Sequence, residues 1–399
     1  MAIKCDVLVV GAGPAGLATA ITTSGVGLKT ILVEKNSEIG YPVKTSAFTW
    51  RNVWEKWKLS ENVVYQKQNF LYLNSVHSKR AVEVNFKKIV GGVLDYHIFL
   101  RELVFKAIKN NTKIFLSQRV IEPLTDGTAV IGVKTSKQDI QSKIVVDCSG
   151  PEAVIAKKMG VVSKNQTREL GIGMEYEMKN VNVRNPNSID FYVGKEEVVP
   201  ISYGWVFPTG LDSARVGVAT IYNAPEEIEK ENIKIWLDRF LGEKSAIYKI
   251  VKDAQPFEMH MGAYLLSGMI SQPYSDGLIV VGDAAAQASM LLGEGIRYAL
   301  EFGVYAGETA VRAVSKKDIS VDTLSDYAKK CNEYLGETYE VGSDLLQVPT
   351  DEYWEALIDN IIRLKKKGEL DLILDYFKTA MDYKKAIEIF PEFKGKYLK

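Results

Sequence analysis

Val7-Leu8-Val9-Val10-Gly11-Ala12-Gly13-Pro14-Ala15-Gly16 decides how the rest of the chain is read. The apolar run, which begins at Cys5, suits a strand buried on both faces of a parallel sheet. Gly11, Gly13 and Gly16 then have the spacing of a dinucleotide-binding turn. The first glycine permits a tight bend, the second lets backbone approach a pyrophosphate, and the third lets helix and strand pack closely. Residues 17–24 read as a helix with small residues on its near face, ended by Gly25 and Gly27. Residues 30–33 are a second strand, closing at Glu34, where a carboxylate can accept hydrogen bonds from ribose hydroxyls.

Outward from this unit, 52–59 reads as a short helix carrying Trp54 and Trp57, 69–90 as short strands, and 94–109 as a helix. Strands follow at 113–116, 130–135 and 143–147, with a hairpin-like excursion turning at Thr125-Asp126-Gly127-Thr128. From 171 to 265 the pattern alternates as antiparallel strands do, at 173–178, 189–193 and 215–221, with a helix expected over 225–241. A buried strand at 278–281 and a long helix at 294–314 come next, and the chain after about 320 is mostly helical.

Composition excludes several classes. Among 399 residues, 46% are apolar and 25% charged, which is ordinary globular usage. Lys+Arg and Asp+Glu stand at 50 each, so no whole-chain field attracts nucleic acid. Cys5, Cys148 and Cys331 are too scattered for a disulfide framework, and His77, His97 and His260 lie far apart in sequence, so no metal site is expected. No signal peptide or membrane-spanning run is expected, and the reading is a cytoplasmic protein, with peripheral membrane contact left open. His260, between Met259 and Met261, is expected to be a packed strand residue rather than a catalyst.

The glycine fingerprint suits NAD or FAD. Leu278-Ile279-Val280-Val281-Gly282-Asp283-Ala284-Ala285 favours FAD, because Asp283 can bind a ribityl hydroxyl while small neighbours admit the flavin chain. Gly293-Glu294-Gly295-Ile296 then opens a helix whose free N–H groups can face the isoalloxazine. Asp147-Cys148-Ser149-Gly150 is the third element.

In this order the motifs resemble the FAD-dependent p-hydroxybenzoate hydroxylase superfamily, and within it the geranylgeranyl reductase family, over roughly residues 1–330. The resemblance also rests on Glu38-Ile39-Gly40-Tyr41-Pro42-Val43-Lys44 and on Tyr203-Gly204-Trp205-Val206-Phe207-Pro208 with Val216-Gly217-Val218. It implies an α/β fold: a doubly wound, Rossmann-like FAD-binding domain (1–170 and 267–325, with a small β excursion near 69–90), an antiparallel β substrate domain (171–266) and a helical C-terminal cap (326–399) that roofs an apolar tunnel. FAD would be held by Gly11, Gly13, Ala15, Gly16, Glu34, Lys35, Thr45, Ser46, Val120, Asp283, Gly295 and Ile296. Tyr203, Trp205 and Phe207 would line the substrate cavity, with Tyr203 and Glu294 as candidates for proton delivery and helix capping as the competing role of Glu294.

The implied activity is hydride transfer from reduced FAD to C=C bonds of a long isoprenoid lipid. The electron donor (NADPH, NADH or ferredoxin) and the oligomeric state stay open. A monooxygenase on the same scaffold and a non-catalytic isoprenoid-binding carrier are the alternatives. Two features depart from the family pattern: Lys44-Thr45-Ser46-Ala47 stands where relatives often carry Cys-Gly, and Tyr96 and Leu100 replace an Arg and an Asp.

Overall fold

The computed structural model describes residues 3–162, 170–194, 203–221, 232–265 and 268–399. Residues 225–231 of the helix expected over 225–241 lie outside the described residues; the rest contains the helix Ile233–Leu241. Among the described residues no helix is long and apolar enough to cross a membrane.

The first sheet is built as its apolar runs require. Ile3–Val10 pairs in parallel with Thr30–Val33 on one side and Asp139–Asp147 on the other. Thr30–Val33 continues to Lys113–Phe115, and Asp139–Asp147 to Leu278–Val280, both in parallel. The chain therefore winds outward one way from Ile3–Val10 and then returns to wind the other way. The reversal leaves a crevice beyond Val10 and Asp147, where doubly wound sheets bind ligands. The hairpin is present, but its strands are Val120–Asp126 and Ala129–Thr135. The first of these escaped the sequence reading, since Pro123 and a polar, half-exposed face blur its alternation.

The second sheet has seven strands, in the order Gln255–Leu265, Leu170–Lys179, Ser213–Ile221, Tyr203–Pro208, Ser188–Val193, Phe70–Ser75, Ala81–Asn85. The segment near 69–90, read as an excursion of the FAD-binding unit, thus extends this sheet: Phe70–Ser75 pairs in parallel with Ser188–Val193. Alternation gives the sheet two faces. Leu71, Leu73, Phe191, Trp205 and Phe207 join the core shared with the first unit, while Met174, Val206, Val216 and Val218 pack under Trp236, Leu237 and Phe240.

Helices Pro14–Gly25 and Ile296–Lys316 pack almost backbone to backbone. Thr19 Oγ1 donates to the Gly303 carbonyl at 3.0 Å, and a Cβ on Gly303 would stand 2.5 Å from the Ala15 carbonyl oxygen. The C-terminal helices from Val321 onward do not roof the cavity; its lining includes no residue beyond Ala299. They pack beside it instead, against the same face of the second sheet that carries the aromatic wall. Phe377 stacks on Phe191 with ring centres 5.9 Å apart, and Arg80 pairs with Glu355 and Asp359. Gly303→Val is expected to destabilise the protein by about 1–3 kcal/mol through overpacking. Urea denaturation checks this, and an unchanged midpoint would contradict the close approach.

Candidate active site

A cavity of about 540 Å³ occupies the crevice and continues under the second sheet. At its nucleotide end the backbone turns at Gly11, whose φ of +99° is a conformation glycine adopts freely. A side chain there would also place Cβ 2.4 Å from the Cys148 carbonyl oxygen. Gly13, Pro14 and Ala15 line the cavity, and the helix they open has no side-chain cap. Its free N–H groups and positive dipole end suit a pyrophosphate. Gly16 does not line the cavity; it lies against the Gly11 backbone.

Glu34 accepts the Ala12 N–H and the Asn36 N–H, each at 2.9 Å, so it fastens the turn while lining the cavity. Lys35 lines the same end and pairs with Glu152; burial, then repulsion from Lys44 and Arg119, lowers its pKa. Val120 lies beside them with Gln118 and Arg119, which the sequence reading did not single out. Asp147 is wholly buried and spends both oxygens on the loop it ends, accepting from Ser149 N–H and O–H and from the Ile155 and Ala156 N–H groups.

Thr45, Ser46, Asp283, Gly295 and Ile296 line the middle of the cavity. Burial raises the Asp283 carboxyl to about 6, with Lys44 opposing the shift. Glu294 does not line it. Its carboxylate accepts the Arg297 N–H at 2.9 Å and faces the Arg297 guanidinium at 3.4 Å, so the structure places it as a helix-terminal group behind the wall. The residues present fit FAD: an uncapped helix N-terminus and a glycine cradle for phosphates, Glu34 at the ribose end, and a buried acid beside a second open helix start.

The substrate end is aromatic. Tyr203, Trp205 and Phe207 all line the cavity, with ring centres 5.9 and 6.0 Å apart in sequence, and Phe191 packs edge-on against Tyr203 and Phe207. The Tyr203 hydroxyl donates to the Leu292 carbonyl at 2.6 Å, tying the second sheet to the loop that holds Gly293 and Gly295. Burial holds its pKa well above the usual tyrosine value. Trp205 Nε1 donates to Glu175 at 2.7 Å, and Glu175 also meets His260 at 2.7 Å. Glu175, His260 and Tyr264 line the cavity and carried no role in the sequence reading. Two acids at alternate positions of an apolar strand, Glu175 and Glu177, were the available signal.

Comparison with known proteins agrees with this geometry. The profile of FAD dependent oxidoreductases matches residues 6–249. A digeranylgeranylglycerophospholipid reductase of Methanococcus vannielii is 34% identical over 396 residues, 94% of this chain and 98% of the relative. One of Methanocaldococcus jannaschii is 33% identical over 335 residues, covering 82% of each chain. The crystal structure of a geranylgeranyl bacteriochlorophyll reductase-like protein from Thermoplasma acidophilum superposes with a TM-score of 0.81 at 25% identity, over 90% of this chain and 92% of that one. A flavin-dependent brominase, at 19% identity and a TM-score of 0.71 over 90% of this chain and 93% of its own, shares the fold.

Glu34→Ala is expected to weaken FAD binding about 10- to 100-fold, the value of a charge-assisted hydrogen bond. Titrating apoprotein with FAD measures it, and an unchanged Kd would remove Glu34 from the site. Asp283→Asn should weaken FAD binding yet raise the urea midpoint of the apoprotein at pH 7.5. The folded state holds the Asp283 proton to about 6, against an ordinary aspartate value of 3.8, so this carboxyl costs stability as pH rises through that interval. A lower midpoint for the variant at pH 7.5 would contradict the assignment.

Proposed function

We propose, from a chain that belongs to the digeranylgeranylglycerophospholipid reductase family of FAD-dependent oxidoreductases, that it saturates C=C bonds in the isoprenoid chains of a glycerophospholipid. The observation that carries this reading is the continuity of one cavity from the FAD cradle to the wall of Tyr203, Trp205 and Phe207. Reduced FAD, when bound, supplies hydride to one carbon of the double bond. The chain's own residues do the rest.

An apolar chain gains roughly 0.8 kcal/mol for each CH₂ moved from water into such a wall, so binding and dehydration are one event. The aromatic faces fix the alkene's position and favour any positive charge that builds on its substituted carbon. Tyr203 contributes through position: its hydroxyl proton is committed to the Leu292 carbonyl, which holds the wall against the flavin loop. Thr45 Oγ1 likewise accepts the Ala47 N–H at 3.0 Å, and the Ser46 carbonyl accepts from Arg215 at 2.8 Å. The segment that departs from Cys-Gly is therefore a hydrogen-bonded loop beside the cavity.

The lipid would enter from a bilayer surface over the edge strand Gln255–Leu265, where Phe257, Met259 and Met261 stand 62%, 52% and 51% exposed. Met261 also lines the cavity, so this apolar patch is continuous with the site. Replacing Phe257 and Met259 by Asp together is expected to reduce co-sedimentation with lipid vesicles severalfold while FAD content is kept. Unchanged co-sedimentation would place the entry elsewhere.

Anaerobic incubation of dithionite-reduced holoenzyme with digeranylgeranylglycerophospholipid, followed by mass analysis of the lipid, tests the reaction itself. Gain of two hydrogens per double bond is expected. Oxygenated lipid formed only in air would support a monooxygenase, and unchanged lipid on a flavin-free protein would support a carrier. Tyr203→Phe is expected to slow the reduction about tenfold with FAD content intact; a wild-type rate would leave the hydroxyl without a role in placing the wall.

A further inference from the structure

We propose that Glu175 and His260 form the proton reservoir of this reduction, and that Glu258 connects it to solvent; the proposal rests on the reductase reading above. Strand register assembles the group. Glu175 lies opposite His260 on one neighbouring strand and opposite Gly217 on the other, and Gly217 in turn lies opposite Trp205. All four positions therefore share the sheet face that looks into the cavity.

Both side chains are removed from bulk water, at 2% exposure for Glu175 and 1% for His260, yet both line the cavity. Glu175 Oε1 meets His260 Nδ1 at 2.7 Å, and Oε2 accepts the Trp205 indole N–H at 2.7 Å. A carboxylate oxygen of Glu175 can only accept, and toward it the imidazole presents Nδ1–H. Nε2 is buried without a hydrogen-bond partner among the described residues. It lies 3.3 Å from Glu258 Oε1, whose side chain is 35% exposed. Solvent, Glu258, His260, Glu175 and cavity thus lie in sequence.

Acids surround the pair. Glu175, Glu177 and Glu258 crowd the imidazole, and the Arg215 Nε donates to Glu177 at 2.9 Å, cancelling one of the three acids. Lys44, whose carbonyl abuts Gly262 on the same strand as His260, is a cation that lines the cavity. The two candidates offered by the sequence are committed: Tyr203 gives its proton to a carbonyl, and Glu294 faces Arg297 behind the wall; Asp283 lines the cavity beside the helix start that opens at Gly295. Glu34, Lys35 and Glu152 belong to the nucleotide end.

The balance is simple. The alkene π bond breaks and two C–H bonds form, one with the hydride and its electron pair, one with a proton. That proton leaves the Glu175–His260 pair, whose bonding electrons stay on the protein, and the pair is recharged through Glu258 from water. The flavin is oxidised and the lipid reduced.

With only three histidines in the chain, ¹⁵N-histidine labelling gives three imidazoles to follow by NMR. In the FAD-loaded protein, His260 is expected to show a hydrogen-bonded Nδ1–H and a titration that shifts in Glu175→Gln and Glu258→Gln. In lipid-driven reoxidation of reduced enzyme, Glu175→Gln and His260→Gln should lower the rate about 100-fold or more, the usual worth of a positioned acid. FAD content and lipid Kd should stay near wild type. Glu258→Gln should chiefly alter the pH profile of that rate. Wild-type rates and pH profiles in all three variants, or an His260 titration indifferent to Glu175, would overturn the proposal. If the wild-type enzyme leaves the lipid unreduced, the reductase reading fails first and takes the reservoir with it, an outcome recognisable because the NMR coupling persists. Trp205→Phe, which removes the indole donor and keeps an aromatic ring in the wall, serves as a second variant should Glu175→Gln not fold, and is expected to shift the same His260 titration.

Discussion

The close approach of Gly11 to the Cys148 carbonyl is the constraint on which the site depends. It brings the ends of two parallel strands, Ile3–Val10 and Asp139–Asp147, together at the point where strand order reverses. The first strand leads into an uncapped helix start, and the second into a loop organised by a fully satisfied Asp147. Neither loop could sit where it does if a side chain occupied position 11. The crevice between them is therefore fixed by backbone alone, and side chains such as Glu34 and Asp283 are added to a cradle already in place.

The second sheet solves a different problem, how to present an apolar wall next to a polar cradle. Its alternation sends one set of residues under the helix Ile233–Leu241 and the other toward the cavity. Within the inward set the character changes across the sheet. Phe191, Trp205 and Phe207 give aromatic surface on one side, and Glu175, Glu177, Arg215 and His260 give a buried polar cluster on the other. Trp205 joins the two, with its ring in the wall and its indole N–H on Glu175. Such a network is costly to bury unless its members are paired, which argues that it does more than fill space.

Much of this was legible in the sequence, and the parts that were not share a cause. The nucleotide-binding turn, Asp283 and the aromatic strand depend on local spacing, and local spacing is what a sequence displays. The placement of Phe70–Ser75 in the second sheet depends on a parallel pairing with residues more than a hundred positions away, which no periodicity reveals. Glu175 and His260 were hidden for the same reason: each reads as an ordinary strand residue until register sets them opposite one another. Glu294 carried two readings, a group near the flavin by the resemblance and a helix cap, and its carboxylate turns back to the Arg297 N–H and guanidinium as the second requires.

The central claim is that one cavity holds FAD and an isoprenoid chain together, so that reducing equivalents pass directly between them. Mixing anaerobically reduced holoenzyme with digeranylgeranylglycerophospholipid in a stopped-flow spectrometer and following flavin absorbance tests this most directly. The account predicts that the oxidised flavin spectrum returns without oxygen, in stoichiometric step with lipid double bonds lost. Flavin that stays reduced until air is admitted would contradict it.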